Sequence, residues 1–197
     1  MVVGSAPCLY ADVRAALELF SDAEIMAINE AGGALARVDH VLAGHTAKAE
    51  QFVSYRRQKF PNCKEFRVHA NWMRLNEAPK DQYPSVTDWW GGDVSSGATS
   101  AGKAVRIAKK MGFDRVVLCG CPMDSSGYFN PQDTTAMQKE YQHFGKCARI
   151  GLAQDENNRS VIRYKETFKK LAATEWRGWV FSMSGFSRQL LGEPSGG

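Results

Sequence analysis

Short apolar runs alternate with amphipathic helical patterns along most of this chain, and this alternation is the feature that most constrains its fold. The clearest run is Arg115–Gly120, which follows a helical pattern that stops at Gly112. A continuous apolar run is typical of a strand that is covered on both faces. Strands that alternate with helices predict a parallel sheet with right-handed connections. The sequence therefore predicts an α/β, Rossmann-like, doubly wound fold with a mainly parallel sheet.

The other predicted elements are shorter or less continuous. Strands are predicted at Val2–Val3, Glu24–Asn29, Val38–Ala43, Glu65–His69 and Trp179–Ser182. The spacing of apolar residues predicts helices over Leu9–Phe20, Thr46–Phe60 and Ser96–Met111. Polar residues alternate in Glu65–His69, which favours an edge position in the sheet. Periodicity fails between Asn71 and Val94, so this segment is predicted to be a long loop.

Length and composition indicate one globular domain, which we place at residues 1–192, with a tail at residues 193–197. The 197 residues carry a net charge of +4, which would assist the binding of a phosphate-bearing ligand or is simply a solvated basic surface; it is too small to imply nucleic acid, and nucleic-acid binding and homo-oligomerisation stay open. No apolar stretch approaches the ~20 residues of a membrane span. The five scattered cysteines favour a reducing compartment, and Cys119 and Cys121 lack a second pair at zinc-site spacing. We therefore expect a cytoplasmic protein with no metal site of its own, and its compactness and the lack of a leader favour a bacterial or phage origin.

Three segments fall where an open α/β sheet binds its ligand, beyond the carboxyl ends of its strands. They are Gly4–Cys8, Ser95–Ser100 and Gly120–Asp124. Gly4 would let the backbone approach a ligand, and the helix start after it would offer free N–H groups to an anion, although a plain tight turn is the alternative. The hydroxyls of Ser96 and Thr99 either contact the ligand or simply cap the helix that follows.

The segment Gly97–Lys103 satisfies the pattern G-x-x-x-x-G-K, but a Walker A function is rejected. Ala104 stands where magnesium chemistry requires a hydroxyl, and no apolar strand precedes the loop. Gly102 and Lys103 are expected inside the helix, which would bury the phosphate cradle.

Single polar residues near the predicted strand ends are further candidates. Asn29 would point into the crevice and hydrogen-bond a base or sugar. Asp124 would hold a metal, a ribose or an acceptor hydroxyl, or would only cap the turn that follows it. His45 and His143 lie on or near loops, where a general base would be placed, and a surface or structural role is the alternative for each.

Taken together, several of these segments resemble the DUF115 and bacterial sialyltransferase-like group, which includes archaeal 6-hydroxymethylpterin diphosphokinase-like proteins and CMP-sialic-acid-dependent glycosyltransferases. The resemblance is carried by Val-Gly-Ser-Ala-Pro near the start, Ile28-Asn29, Ser-Ser-Gly-x-x-Ser, and the run from Gly112 to Gly120. It covers most of the chain through short motifs. The first loop departs from the group's Gly-Pro-Ser form by reading Gly-Ser-Ala-Pro-Cys.

The resemblance implies a nucleotide held between the first loop and the start of the Ser-Ser-Gly helix. It places Gly4, Ser5 and Pro7 by the phosphates, Asn29 near the nucleotide, and Ser96 and Gly97 opposite them. Asp124 and Tyr128 follow the segment that contacts the donor in these proteins, so Tyr128 is a candidate nucleotide contact. His143 lies at the position of their histidine base.

Three functions are open at this point. The first is a glycosyltransferase-like enzyme that needs no cofactor, in which His143 deprotonates a hydroxyl of a small-molecule or glycan acceptor as it attacks a nucleotide-sugar donor. The second is a magnesium-dependent diphosphokinase-type transfer from ATP, for which Asp88, Asp93 and Asp124 are the available carboxylates. The third is a non-catalytic module that binds or sequesters a nucleotide.

Overall fold

A computed structural model of the chain describes residues 1–95, 99–124 and 159–196. The strands are β1 (Val2–Val3), β2 (Met26–Ile28), β3 (His40–Ala43), β4 (Arg67–Asn71), β5 (Asp88–Trp90), β6 (Val116–Cys119) and β7 (Val180–Ser182). The helices are α1 (Leu9–Leu19), α2 (Ala49–Lys59), α3 (Gly92–Ser95), α4 (Ser100–Lys110), α5 (Arg159–Ala173) and α6 (Gly185–Leu191). Across these described ranges, no helix combines the length and apolar composition needed to cross a bilayer.

The seven strands form one parallel sheet in the order β5-β4-β3-β2-β1-β6-β7. The chain steps outward from β1 to β5 through parallel pairs, such as Val2 with Met26 and Val41 with Val68. It then returns to the other side of β1 for β6 and β7. The winding direction therefore reverses beside β1, and this reversal confirms the predicted Rossmann-like, doubly wound α/β fold.

Two compact units contribute to the sheet. Unit 1 comprises Met1–Gly4 and Asp22–Val116, and unit 2 comprises Ser5–Ser21 and Val117–Gly197. All four residues of β6 are buried, as expected for a continuous apolar run.

In unit 1, helix α4 packs through a stripe of small and branched residues. The buried members of this stripe are Ala101, Ala104, Val105, Ile107 and Ala108. Thr99 is the N-cap of the helix, and its hydroxyl accepts a hydrogen bond of 3.1 Å from the Gly102 N–H. Gly112 follows the last turn with a φ of 93°, a conformation that glycine adopts without steric cost.

In unit 2, helix α1 buries Leu9, Val13 and Ala16, which lie on one helical face. The rings of Phe168 and Trp176 meet edge to face with their centroids 4.9 Å apart. Both side chains are fully buried, so they anchor the end of α5 in the core of this unit.

Two predictions about the sheet edge are wrong. The strand at Glu65–His69 was expected at an edge, but β4 lies between β3 and β5. Its polar His69 is fully buried, and this is tolerated because Trp90 and His40 hydrogen-bond its ring. The edge strand on this side of the sheet is β5, which lies inside the segment predicted to be a long loop, and α3 begins in the same segment.

Candidate functional site

Polar groups meet at the carboxyl ends of β2, β3 and β4 in unit 1. We call this set the strand-end cluster, and its members are Asn29, Gly44, His45, Asn71, Ser100 and Lys103. The first four follow or end these strands, and the last two lie in the first turn of α4. The carboxyl edge of an open parallel sheet is where such folds bind ligands.

Asn29 lies directly after β2, as predicted. Its φ is 52°, in the left-handed region that asparagine tolerates better than most residues. The Asn29 Oδ1 atom accepts a hydrogen bond of 2.8 Å from the backbone N–H of Gly44. Because an N–H group can only donate, the orientation of the amide is settled, and its –NH₂ group remains as the donor.

Lys103 extends to the strand ends, although the sequence had placed it inside a helix and out of the site. It does lie in α4, but in the first turn, and helical side chains lean toward the N-terminus. Its ammonium donates to the Gly44 carbonyl over 3.2 Å and to the Asn71 Oδ1 over 3.0 Å. The long side chain therefore extends out of the helix and joins β3 to β4 at their carboxyl ends.

The charge of Lys103 is not balanced by a carboxylate in the described part of the chain, since both of its partners are neutral oxygens. Burial lowers the pKa of Lys103 below its ordinary value. Partial burial lowers the pKa of His45 from 6.5, and Lys103 and Lys48 add to this shift, while Glu30 opposes it. The neutral form of His45 is therefore favoured at pH 7, as a general base requires.

The first and third predicted ligand segments meet in unit 2. The Ala6 N–H donates to the Gly120 carbonyl over 3.1 Å. The Asp12 Oδ2 accepts from the Gly120 N–H over 2.8 Å and from the Ser184 hydroxyl over 2.6 Å, and Cys8 Sγ lies 3.2 Å from the Ser184 Oγ. Cys8, Asp12, Gly120 and Ser184 form what we call the Asp12 cluster.

The Asp12 cluster differs from the strand-end cluster in its charge. Burial raises the pKa of the Cys8 thiol to about 11, and the nearby Asp12 carboxylate adds to the shift. The thiol is therefore protonated at neutral pH and is a weak nucleophile. A carboxylate at this position also repels phosphate, so the geometry favours the strand-end cluster for an anion.

The structure shows where the predicted residues of the first loop lie, but these contacts do not test their predicted roles. Ser5 is buried and Pro7 is exposed. Their proposed phosphate contacts, and that of Gly4, remain predictions. Thr99 caps α4, which is the simpler of its two predicted roles.

Asp124 lies against the start of helix α6. A Cβ atom on Gly185 would come within 2.8 Å of the Asp124 Oδ2, and Gly185 has a φ of 64°. This contact needs a glycine at position 185, since a side chain there would meet both the carboxylate and Pro122. The catalytic role of Asp124 remains a prediction, and Ser96, Gly97, Tyr128 and His143 lie outside the described residues.

The other carboxylates considered for magnesium are paired with cations. Asp88 accepts from the Arg67 Nε over 2.9 Å, and Asp93 lies 2.6 Å from the Lys110 ammonium. Among the described side chains, no three or more histidines, cysteines or carboxylates form a group suited to a metal. The magnesium-dependent alternative remains a prediction that these contacts do not test.

Sequence reasoning missed Lys103, Asn71 and Asp12. A signal existed for Lys103, because it ends the G-x-x-x-x-G-K pattern, and the pattern was rejected on its other requirements. Asn71 gave a weaker signal, since it lies two residues after the end of a predicted strand. Asp12 gave none, because an acidic residue in the first turn of a helix is ordinary.

Comparison of the chain with protein-family models, with curated proteins and with solved structures finds no match in any of the three.

Proposed function

We propose that this chain is a transferase that binds a nucleotide-activated donor at the strand-end cluster and passes the activated group, most simply a sugar, to a hydroxyl acceptor. The observation that carries the proposal is the composition of this cluster. It holds a cation and two oriented amides at the carboxyl ends of neighbouring parallel strands, and in the described residues no carboxylate hydrogen-bonds to the Lys103 ammonium or to either amide. The resemblance to sialyltransferase-like proteins supports the same donor class.

The chemistry needs a cation and a base. As the acceptor oxygen forms its bond to the donor carbon, the bond from that carbon to the phosphate oxygen breaks, and the leaving phosphate gains negative charge. A cation placed at that phosphate stabilises the charge, and a neutral histidine takes the acceptor proton. His143 is the leading base from the resemblance, and His45 is the candidate that lies in the cluster.

Binding is tested by thermal-shift titration with CMP, UDP, ADP, GDP and their sugars. We expect at least one of these to raise the melting temperature of the wild-type protein. Asn29→Gly keeps a residue that tolerates positive φ and removes the amide, so it should lose this stabilisation. Asn76→Gly, at an exposed position outside the cluster, is the matched control and should retain it. A panel in which no nucleotide stabilises the wild type would contradict the proposal.

Catalysis is tested by a paired measurement of donor affinity and turnover. His143→Ala should lose on the order of 10²–10⁴ in turnover with donor affinity nearly intact, because proton transfer is stabilised only in the transition state. His45→Ala is measured beside it. If His143→Ala turns over as the wild type does and His45→Ala does not, the base is His45. Binding without turnover in the wild type would instead indicate a nucleotide-sequestering module.

A further inference from the structure

The hydrogen bonds of the strand-end cluster determine which polar atoms it can offer to a ligand. The oxygen of the Asn29 side chain is occupied by the Gly44 N–H, and the oxygen of the Asn71 side chain is occupied by the Lys103 ammonium. Both of those partners can only donate, so neither amide can be turned around without losing its bond. In the described part of the chain, each amide nitrogen is without a hydrogen-bond partner.

The cluster therefore offers donors, and its acceptors are already used. Two –NH₂ groups and an ammonium favour a ligand group that accepts hydrogen bonds through several oxygens and donates none. A nucleobase presents both donors and acceptors on its edge, so it fits this arrangement less well. A fully ionised phosphate or diphosphate presents acceptors alone. Its negative charge would also balance the positive charge of Lys103, whose two acceptors are neutral.

Lys103 has two hydrogen-bond acceptors in the described residues, and neither carries a charge. Its bonds to the Gly44 carbonyl and the Asn71 oxygen measure 3.2 and 3.0 Å. These bonds are charge-assisted through the ammonium alone, whereas an ionised oxygen would add the attraction between two opposite charges. Because the ammonium is half-buried, the attraction to an anion is also less screened than at an open surface.

We infer that the strand-end cluster is an oxyanion site in which Lys103 keeps its two partners and donates its third N–H to a phosphate oxygen, while the Asn29 and Asn71 amides donate to the same group. This inference rests on the proposed function and names the part of the donor, its diphosphate or phosphate, that this site binds. Ser100, whose hydroxyl lies beside Gly44, stands at the edge of the site.

The experiment is calorimetric titration of the full-length protein with inorganic pyrophosphate, which contains the oxyanion without the nucleoside. Lys103→Met removes the ammonium and keeps the length of the side chain. It should weaken pyrophosphate binding about tenfold or more, which is the range expected for a hydrogen bond to a charged group. Lys109→Met, at an exposed position in the last turn of the same helix, is the matched control and should change the affinity by less than about twofold.

A second variant shows whether binding can be lost while the protein stays folded. Asn71→Asp keeps an oxygen partner for Lys103 but brings a negative charge into the site, so pyrophosphate binding should be lost while the melting temperature is kept or raised. In the wild type, the affinity should fall with rising salt, and Lys103→Met should lower that slope by about one. A titration with malonate distinguishes a phosphate site from a general carboxylate site, and tighter binding of malonate than of pyrophosphate would overturn the assignment to phosphate.

The outcomes separate this inference from the proposed function. Pyrophosphate that binds the wild type, Lys103→Met and Asn71→Asp with equal affinity, or fails to bind the wild type at about 10 mM, overturns the oxyanion site. If a nucleotide still stabilises the protein in that case, the proposed function stands without it. Pyrophosphate binding that depends on Lys103 supports the site, even where no nucleotide in the panel binds and the proposed function fails.

Discussion

Gly44 is the residue around which the strand-end cluster is built, since its N–H, its carbonyl and its Cα are all in close contact with the cluster. A Cβ at this position would overlap the Ser100 hydroxyl and come within 3.1 Å of the Asn29 Oδ1. We expect Gly44→Ala to destabilise the fold by about 1–3 kcal/mol, in the range of overpacked sites. It should also weaken pyrophosphate binding, because Lys103 and Asn29 both bond to this residue. Urea unfolding and calorimetric titration of the same variant check the two effects.

The control for this prediction is the double variant Gly44→Ala with Ser100→Ala. Removing the Ser100 hydroxyl removes the closest contact of the new Cβ, so part of the lost stability should return. Two residues in contact should show an interaction energy of about 0.5 kcal/mol or more in such a cycle. Strictly additive effects of the two substitutions would show that the overlap is not what destabilises Gly44→Ala.

The role of a single residue can be predicted from the sequence when it depends on the position of the residue along the chain. It is harder to predict when it depends on where a long side chain extends in the folded structure. The position of Asn29 follows from an apolar run that ends at Ile28, and the structure has it there. The role of Lys103 depends on where α4 begins. With a start at Ser96, Lys103 falls in the second turn, whereas with the observed start at Ser100 it falls in the first turn and reaches Gly44. Several serine and threonine residues precede α4, and each of them is an acceptable N-cap. The sequence therefore could not determine the start of the helix to within four residues.

At the scale of secondary structure, Arg56 joins helix α2 to the segment that follows β2. Its guanidinium is almost fully buried and donates to the carbonyls of Gly32, Leu35 and Ala36 over 2.6, 2.8 and 3.1 Å. Arg56→Lys should destabilise the protein by about 2–4 kcal/mol, because an ammonium cannot match the fork of donors and leaves buried carbonyls unpaired. Urea unfolding checks this value.

Arg57→Lys is the matched control for Arg56→Lys, since the neighbouring residue is exposed on the same helix. It should change the free energy of unfolding by no more than about 0.5 kcal/mol. If Arg56→Lys behaved like this control, the three carbonyl bonds would contribute little to holding α2 against this segment.

The elements that sequence reasoning found and missed differ in how they are stabilised. Strand β6 was predicted because its stability comes from burial of its own apolar residues on both faces. Strand β5 was missed because its three residues, Asp88, Trp89 and Trp90, are only half-buried and follow a proline-rich segment. It pairs with β4 in parallel register, from His69 with Asp88 to Asn71 with Trp90. Side-chain hydrogen bonds, such as that from the Trp90 indole to His69, also stabilise it. Such a strand has no apolar period to detect.

At the scale of the whole molecule, a chain of hydrogen bonds through the buried His69 and His40 links the stability of the fold to pH. The Trp90 indole N–H donates to the His69 Nδ1 over 3.1 Å, and that nitrogen must therefore be unprotonated. The His69 Nε2 then carries the proton and donates to the His40 Nδ1 over 3.0 Å. The His40 Nε2 in turn donates to the Glu24 carboxylate over 2.6 Å. Each ring is neutral in this arrangement, and each tautomer is determined by its neighbour.

A proton added to His69 would break this chain, because the His69 Nδ1 could then no longer accept from Trp90. Burial lowers the pKa of His69 from 6.5 to about 4, with the neighbouring His40 and Arg67 acting in the same direction and Asp88 opposing them. The folded state therefore resists a proton that the unfolded state takes up. Stability from this group is fully present above pH 6.5 and is lost as the pH falls from 6.5 toward 4.

The last prediction follows from this loss of stability as the pH falls. Between about pH 7.5 and pH 4.5, the wild type should lose on the order of 3 kcal/mol more unfolding free energy than His69→Gln does. Glutamine is neutral at every pH in this range and can still accept from Trp90 and donate to His40. Carboxylates that titrate in acid do so in both proteins, so the difference between their urea-unfolding curves isolates His69. Parallel pH profiles of the two proteins, or an NMR titration in which the His69 ring protonates near its ordinary pKa, would show that the hydrogen-bond chain does not hold this histidine neutral.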